Sequence, residues 1–375
     1  MTTEEIPKTD HQGQHQYLLN MGPQHPSTHG VLRVLLKMDG EYIIDPQPIL
    51  GYAHRMQEKI AESNPWGGFL SYTSRMDYVG ALAFNHGYVS LIEKTAQIEV
   101  PLRAEYIRVI CVELNRISSH LLWLGAFLLD LGAFTPILYC FDDREQILDI
   151  LEDITGSRLT YCYFRAGGVV RDIDEKFIER TRGFIKRMRS RFSLYDDLIT
   201  GNIIFQKRVQ GNGIISPDMA RRYGVSGPVL RGSGINYDVR KNEPYSLYPE
   251  FDFEVPLGSN GDSFDRHQVR IQEMEQSLRI IEQALDRLPE GPFIAKLPKK
   301  INLPAGDCTF TVETPRGLLS YYLVGDGSNI PYRLKIRGPC FSNLSILPEL
   351  CSGMLLADLV AVMGSLDLVI PEIDR

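Results

Sequence analysis

The sequence lacks the close cysteine and histidine spacings with which proteins hold metals. It contains no C-x-x-C pair, no H-E-x-x-H motif and no histidine-rich cluster, and these are the common signatures of metal sites. We therefore expect no metal centre and no cofactor bound by this chain alone. The six cysteines are also too few for a disulfide scaffold in 375 residues, which favours a reducing compartment.

An excess of basic residues is also missing. The net charge is −7, whereas recognition of nucleic-acid phosphates needs a concentrated basic surface. The glycine-rich stretches GNGII and RGSGIN fit neither the dinucleotide-binding pattern G-x-G-x-x-G nor the phosphate-binding pattern G-x-x-x-x-G-K-[ST]. We expect neither nucleic acid nor a nucleotide as a ligand of this chain.

One segment nevertheless resembles a helix-turn-helix, the motif of many DNA-binding regulatory proteins. Residues 215–234, ISPDMARRYGVSGPVLRGSG, combine a short helical pattern, a glycine turn and a second segment. Gly227 and Pro228 stand where the recognition helix of such a motif should begin. A surface helix followed by a glycine-rich loop is the favoured interpretation, and DNA binding is the alternative.

No run of the sequence is both long and free of charge. The most apolar stretch, residues 117–141, exceeds the roughly 20 residues that cross a bilayer, but it contains Asp130, a histidine, a proline and two glycines. Because a charge inside a membrane span is costly, a buried core helix is expected here. Asp130 either caps the end of this helix near Gly132 or pairs with a distant cation, for which a histidine would be suitable.

Hydrophobic periodicity predicts strands towards both ends of the chain and helices between them. Residues 30–52 contain two β-rich runs around a turn at Asp39-Gly40, and residues 308–338 contain a hairpin and a further strand. The main helical patterns cover residues 74–96, 101–132, 142–156, 175–201 and 264–291. We expect an α+β fold with a central helical bundle and small β elements at the N- and C-terminal ends. Residues 1–14 are expected to be a flexible N-terminal tail and residues 15–375 a single domain.

Two polar features stand out within this framework. The loop GPQHPSTHG at residues 22–30 places His25 and His29 among prolines and glycines, so it is a rigid loop in which the histidines are not expected to share a metal. Tyr78 falls within the helical pattern of residues 74–96. A tyrosine in an apolar helix is usually a core residue whose hydroxyl finds a partner.

At these residues the sequence resembles a known family, the D subunit of respiratory complex I. This complex is the proton-pumping NADH:quinone oxidoreductase, and the family is related to the large subunit of nickel–iron hydrogenases. The resemblance runs from about residue 17 to the C-terminus and implies a hydrogenase-large-subunit-like fold. It rests on motifs that follow in order, GPQHPSTHGVLR, GYAHRMQEK, SRMDYV, LLDLGAFTP, INYDVRK and SLDLVIPEIDR.

The resemblance implies that the chain is the quinone-binding subunit of an enzyme. It implies that His29 and Tyr78 hold and protonate the quinone headgroup and that Asp130 pairs with His29. Arg55, in HRMQEK, resembles the family arginine that approaches the terminal iron–sulfur cluster of a partner subunit. Reduction of a quinone to a quinol takes two electrons and two protons, and a tyrosine hydroxyl and a histidine can both supply protons.

Partners and location are implied in the same way. We expect the partner subunits B, C, I and H of the complex, of which the B subunit holds the iron–sulfur cluster and the H subunit lies in the membrane. A peripheral position on the cytoplasmic side of the cell (inner) membrane is implied as well. The isolated chain should be inactive. The two C-x-x-C pairs of nickel–iron hydrogenases are absent, so hydrogenase activity is not expected. A metal-free hydrogenase-like subunit of another membrane-bound redox complex is the alternative.

Thr160 is a departure from the family pattern, because many relatives carry a histidine near the terminal cluster at this place in ITGSRLTYCYF. Losing a titratable cation there should lower the reduction potential of the cluster and remove its pH dependence. We predict a low-potential quinone such as menaquinone as the substrate. A redox titration of the terminal cluster in the assembled complex tests this, and a high potential that shifts with pH would contradict it.

Overall fold

In the computed structural model, which describes residues 3–4, 16–24, 30–298 and 300–375, the chain begins with an antiparallel sheet. The order across this sheet is β1 (Thr3–Glu4), β2 (Gln16–Met21), β3 (Arg33–Asp39) and β4 (Tyr42–Ile49). Buried and more exposed residues alternate along β3, as in a strand with one face on the core. The turn that joins β3 to β4 is Gly40-Glu41, one residue after the predicted Asp39-Gly40, because Asp39 still pairs with Tyr42. Two residues of the expected N-terminal tail, Thr3 and Glu4, pair with β2.

Helices form the centre of the molecule. The first six helices are followed by a single π-helical turn at Asp196–Thr200, which directly continues the sixth of them. A two-stranded ribbon, β5 (Phe164–Arg165) with β6 (Gly168–Val169), lies between the fifth and the sixth helix. The helices are α1 (Gln57–Ala61), α2 (Trp66–Thr73), α3 (Ala81–Ala96), α4 (Leu102–Asp130), α5 (Thr135–Thr155) and α6 (Glu175–Tyr195).

The 29-residue helix α4 is the central element. Pro101 precedes its first turn, where a proline's missing N–H costs nothing. Most of its residues are buried, including those on several sides of the helix, as its nearly continuous apolar pattern predicted. Within the described ranges, no helix combines the length and apolarity needed to cross a membrane.

The prediction for residues 74–96 was wrong at its N-terminal end. Helix α3 begins at Ala81, and residues 74–80 form turns. The Asp77 side chain accepts hydrogen bonds from the backbone N–H groups of Val79 (3.1 Å) and Gly80 (2.9 Å). Such a side chain competes with the helical hydrogen bonds of the backbone and stabilises a turn instead. Tyr78 therefore lies in a turn and not inside an apolar helix.

The middle of the chain is a series of short elements followed by one long helix, in line with its glycine- and proline-rich composition. A 3₁₀ turn at Tyr248–Glu250 lies among them. The helices are α7 (Ile203–Val209), α8 (Pro217–Tyr223), α9 (Pro228–Gly232), α10 (Val239–Asn242) and α11 (Ser263–Asp286).

The C-terminal part contains the predicted hairpin and third strand. The antiparallel sheet consists of β7 (Gly306–Thr314), β8 (Gly317–Gly325) and β9 (Arg333–Arg337), in that order. Four helices complete the chain, α12 (Pro339–Ser345), α13 (Leu347–Cys351), α14 (Leu356–Leu366) and α15 (Ile370–Asp374). The small sheets towards both ends and the helices between them confirm the α+β fold.

The helix-turn-helix alternative for residues 215–234 is contradicted by burial. Helix α9, which would be the recognition helix, has five residues and all of them are buried. Its Arg231 points into the protein and bonds Glu273 and Glu313. A recognition helix must present its side chains to the edges of DNA bases, and α9 presents none.

A network of buried charges ties α4, α9, α10, α11 and β7 together. Arg231 lies between Glu273 and Glu313, at 2.8 Å from an oxygen of each. Burial alone would raise the pKa of Glu113, but the Arg116 and Arg240 guanidiniums lower it to about 2. The members of the network are Glu113, Arg116, His120, Arg231, Asp238, Arg240, Glu273 and Glu313.

The network needs one proton to be neutral, because its four carboxylates outnumber its three guanidiniums by one. Burial raises the pKa of Glu313 and lowers the pKa of His120. A neutral network removes the desolvation cost of an unpaired charge in the core.

Substitution of Arg231 tests how much the fold depends on this network. Arg231→Met leaves two buried carboxylates without their cation, a change that costs about 3–5 kcal/mol in comparable sites. We expect the amount of assembled complex in membranes, measured on native gels with an antibody to this chain, to fall several-fold. Arg221→Met, which removes an exposed ion pair with Asp218, is the control and should change little. Equal amounts of complex in both variants would contradict this dependence.

Candidate functional site

A cavity of about 240 Å³ lies beside the C-terminal half of α4, and we call it the Tyr78 cavity. Four separate segments of the chain form its wall. They are the turn before α3, helix α4, the turn between β7 and β8, and the segment after α14. The lining residues are Tyr78, Val79, Leu122, Trp123, Ala126, Leu129, Asp130, Arg316, Asp367, Leu368 and Val369.

Helix α4 gives the cavity an apolar side with an acid at its end. Leu122, Ala126 and Leu129 lie on one face because they follow at helical spacing. Asp130 is the last residue of α4 and is half-buried. The apolar sequence around it had suggested a more deeply buried side chain. The C-terminal end of a helix carries partial negative charge. A carboxylate at this position is therefore unfavourable unless a cation lies beside it.

Tyr78 enters the cavity from the turn that Asp77 holds. Only glycine fits at position 80, since a Cβ there would lie 2.6 Å from Asp77 Oδ2 and 3.2 Å from Pro315. Burial raises the pKa of Tyr78, and Asp77 and Asp367 raise it further, while Arg316 opposes the shift. The hydroxyl is thus protonated at neutral pH and can donate a hydrogen bond.

The polar end of the cavity is an ion cluster centred on Arg316. Its Nη1 donates to Asp77 Oδ2 at 2.9 Å and to Ser119 Oγ at 3.0 Å, and its Nη2 donates to Asp367 Oδ1 at 3.2 Å. All of these side chains are buried. The second Asp367 oxygen lies 3.9 Å from Nε of Arg270.

Arg270 connects this cluster to the apolar wall. Its guanidinium lies over the Trp123 ring, 4.2 Å from the centroid, where the ring face attracts a cation. Burial lowers the pKa of Arg270 to about 10, and Asp367 and Glu273 partly offset that effect. Two arginines thus face two aspartates, so the cluster around Asp77 and Asp367 is balanced in charge.

The structure brings two of the sequence-predicted site residues together. Tyr78 and Asp130 line the same cavity. His29 lies outside the described residues, so its pairing with Asp130 stays a prediction. Arg55 is not part of the cavity. It is exposed just before α1, and its N–H donates to the Arg375 carbonyl oxygen at 3.2 Å.

The neighbours of Arg55 in sequence, His54 and Met56, line a second, more open groove of about 350 Å³, of which Arg55 itself is not a lining residue. This groove is lined mainly by charged side chains, among them Glu58, Arg333 and Arg375. Arg333 binds both Glu58 and Glu62, which holds α1 against β9. Arg55 is thus available at the surface, beside a polar groove.

Sequence reasoning missed the acids and the arginine of the ion cluster. Asp367 carried the same signal as Asp130, because it is an acid within the apolar stretch MGSLDLVI. Asp77 directly precedes Tyr78. Arg316 follows a proline in the predicted hairpin turn, which gave no reason to expect it in the core.

Across the described residues, no group of three or more histidine, cysteine, aspartate or glutamate side chains is arranged to hold a metal ion. The six cysteines are free thiols, and Cys111, Cys140, Cys340 and Cys351 are buried. The site therefore consists of a tyrosine, carboxylates and arginines around an apolar cavity. Such a site can hold a neutral ring by its carbonyl oxygens and supply protons to it.

Comparison with known proteins identifies the family. The family model described as the 49 kDa subunit of respiratory-chain NADH dehydrogenase matches residues 130–302 and 295–375. The NADH-quinone oxidoreductase D subunit of Desulfotalea psychrophila is 61% identical over 360 residues, which cover 96% of this chain and 97% of that protein. The protein of the same name from Syntrophobacter fumaroxidans is 58% identical, covering 96% of both chains. The D 2 subunit of Opitutus terrae is 54% identical over 378 residues, covering 100% of this chain and 95% of that protein.

The matched regions include Asp130 and the whole C-terminal sheet, and the relatives extend over the N-terminal motifs as well. The resemblance read from the motifs is confirmed over nearly the full chain. This chain belongs to the family of the 49 kDa subunit, or D subunit, of respiratory-chain NADH-quinone oxidoreductase.

Proposed function

We propose that this chain forms the quinone-reduction site of a proton-translocating NADH-quinone oxidoreductase, at the interface with the subunit that carries the terminal iron–sulfur cluster. Membership of the family makes the chain a subunit of an oxidoreductase complex. The observation that carries the finer proposal is the Tyr78 cavity, where Tyr78 and Asp130 meet on an apolar wall.

The cavity suits a quinone headgroup in size and polarity. At about 240 Å³ it is smaller than the pockets that enclose drug-sized ligands, so it has room for a ring but not for a long isoprenoid tail. Leu122, Trp123 and Val369 offer apolar contacts to the ring. The polar groups are few, as expected of a site that must orient one small molecule.

Tyr78 and His29 are proposed to bind the two carbonyl oxygens and to deliver the two protons of quinol formation. The Tyr78 hydroxyl is a donor at neutral pH because its pKa is raised. Asp130 would orient the His29 imidazole and stabilise its protonated form. A protonated histidine at the end of α4 would also be stabilised by the partial negative charge of that helix terminus.

Loss of the His29 proton to the quinol would remove a positive charge from beside Asp130, at a helix C-terminus where a carboxylate is unfavourable. We propose that this imbalance is the local change that triggers proton pumping elsewhere in the complex. The electrons come from a cluster that a partner subunit holds, and no residue of this chain needs to carry them.

The proposed arrangement of partners comes from the family resemblance, and the exposure of Arg55 supports one part of it. Arg55, exposed beside the charged groove, is proposed to face the cluster of the B subunit, where a cation favours the reduced state. The C and I subunits would complete the peripheral part, and the H subunit in the membrane would supply the entry path of the quinone. The chain would lie on the cytoplasmic side of the membrane as a peripheral subunit.

Tyr78→Phe is the substitution that tests this proposal. It removes the hydroxyl and preserves the ring, so we expect NADH:quinone reductase activity in membranes to fall by about a hundredfold, within the range for loss of a general acid. NADH:ferricyanide activity, which reports electron entry upstream, should be unchanged. Tyr72→Phe, in α2 and outside the cavity, is the matched control. Normal quinone reduction in Tyr78→Phe would remove Tyr78 from the proposed site.

A further inference from the structure

We propose that Arg316 is a positioning residue for quinone reduction, which acts by clamping the wall of the Tyr78 cavity so that the Tyr78 hydroxyl is held in place. This inference rests on the proposed function. It adds a residue that neither the motifs nor the chemistry of the quinone identified.

The contacts of Arg316 join three segments that are distant in sequence. Asp77 belongs to the turn that carries Tyr78, Ser119 belongs to α4, and Asp367 lies in the segment after α14. Each of these segments contributes lining residues to the cavity. One guanidinium therefore sets the spacing between the tyrosine, the apolar helix face and the C-terminal segment. Because its fork is planar and rigid, it fixes directions as well as distances.

The backbone of Arg316 is itself held firmly. Its N–H donates to Thr314 Oγ1 at 3.3 Å, and its carbonyl oxygen accepts from Asn343 Nδ2 at 3.3 Å. Gly227, with φ of +69°, packs so closely that a Cβ there would lie 2.4 Å from the Arg316 carbonyl oxygen. The turn between β7 and β8 is therefore a fixed base from which the side chain reaches the cavity.

One donor of Arg316 remains unused by the clamp. Its Nε is buried and has no hydrogen-bond partner among the described residues, although the other two nitrogens are bonded. Arg316 also lines the cavity. The Nε of Arg108 is also without a partner among the described residues, so this feature assigns no role by itself, and the positioning role rests on the three contacts of Arg316.

Several charged and ionisable groups surround the guanidinium, and they decide what its loss does. Arg316 opposes the rise in the pKa of Tyr78. Burial raises the pKa of Glu372 to about 7, and Arg316 opposes this shift too. The groups facing the cluster are Asp77, Asp367, Arg270, Cys340 and Glu372, with Asp130 on the cavity wall.

Loss of Arg316 leaves Asp77 and Asp367 with Arg270 alone, so both the charge balance and the clamp disappear. The link from Asp77 through Arg316 to Ser119 of α4 would be lost, and Asn115 of α4, which donates to the Val79 carbonyl oxygen at 2.9 Å, would be left to hold this turn. We therefore expect a displacement of Tyr78 within the cavity and not its release. Displacements of about 1 Å at a reacting group can cost up to a hundredfold in rate.

The test is a double-mutant cycle in the assembled complex. Arg316→Gln should lower kcat for quinone reduction about tenfold per assembled complex. In a Tyr78→Phe background the same change should lower the residual rate less than about twofold, because the group that Arg316 positions is already gone. Arg316→Lys keeps the charge but loses the planar fork, so it should also lower kcat by several-fold. Since burial raises the pKa of Glu372 to about 7, each variant is compared at its own pH optimum.

Two further variants separate positioning from folding. Arg108 is equally buried but pairs with Glu93 and Glu105 elsewhere. Arg108→Gln should reduce the amount of complex without changing kcat per assembled complex. Ser119→Ala removes only one acceptor of Arg316. It replaces Arg316→Gln in the double-mutant cycle with Tyr78→Phe if the complex with Arg316→Gln does not assemble. It should lower kcat about threefold when Tyr78 is present, and it should leave the residual rate unchanged in the Tyr78→Phe background.

The outcomes distinguish the positioning role of Arg316 from the proposed quinone site. Equal losses in both backgrounds would show that Arg316 acts independently of Tyr78, and would overturn this inference while the quinone site stands. Unchanged kcat per complex in Arg316→Gln or Ser119→Ala would reduce Arg316 to a structural role. Full quinone reduction in Tyr78→Phe would overturn the tyrosine's role in the proposed function, and the positioning role with it.

Discussion

Charges buried in the core must be paired, and this constraint determines the arrangement around the site. Arg231 joins α9 to α11 and β7, and Arg240 joins α10 to α4. Arg316, three residues after Glu313 on the same hairpin, then joins the turn before α3 and the segment after α14 to α4. Removing one partner from any such pair leaves a charge in a medium of low polarity, which costs several kcal/mol. The helices therefore cannot shift independently of the hairpin that reaches the cavity.

This arrangement has a chemical consequence for the Tyr78 cavity. Its apolar wall lowers the local polarity, which strengthens each remaining electrostatic interaction. The Tyr78 hydroxyl, the Asp130 carboxylate and the balanced cluster around Arg316 are then the groups that respond to a change of charge. Under the proposed function, a proton that leaves this region during quinol formation would change the charge balance of this cluster. Such a network is suited to convert a chemical step into a structural change.

The sequence predicted the elements better than it predicted the site. The hairpin of β3 and β4 and the long helix α4 followed from local signals, namely a turn pair and a proline before an apolar run. The turn at Tyr78 was missed because the Asp77 side chain competes with the helix, which hydrophobic periodicity does not detect. The family motifs pointed to Tyr78 and Asp130, and the fold places both at one cavity. Arg316 could not be found in this way, because its partner Asp77 is 239 residues away in sequence.

The proposed roles of Tyr78, Asp130 and Arg316 all depend on a quinone headgroup binding in the Tyr78 cavity. The most direct test is photolabelling of the membrane-bound complex with a quinone analogue that carries the reactive group on its ring, followed by peptide mapping of this chain. We expect labelling within residues 76–79, 122–130 or 366–369, and loss of that label when excess quinone is present. Competed labelling confined to other parts of the chain, or to partner subunits alone, would contradict binding in this cavity.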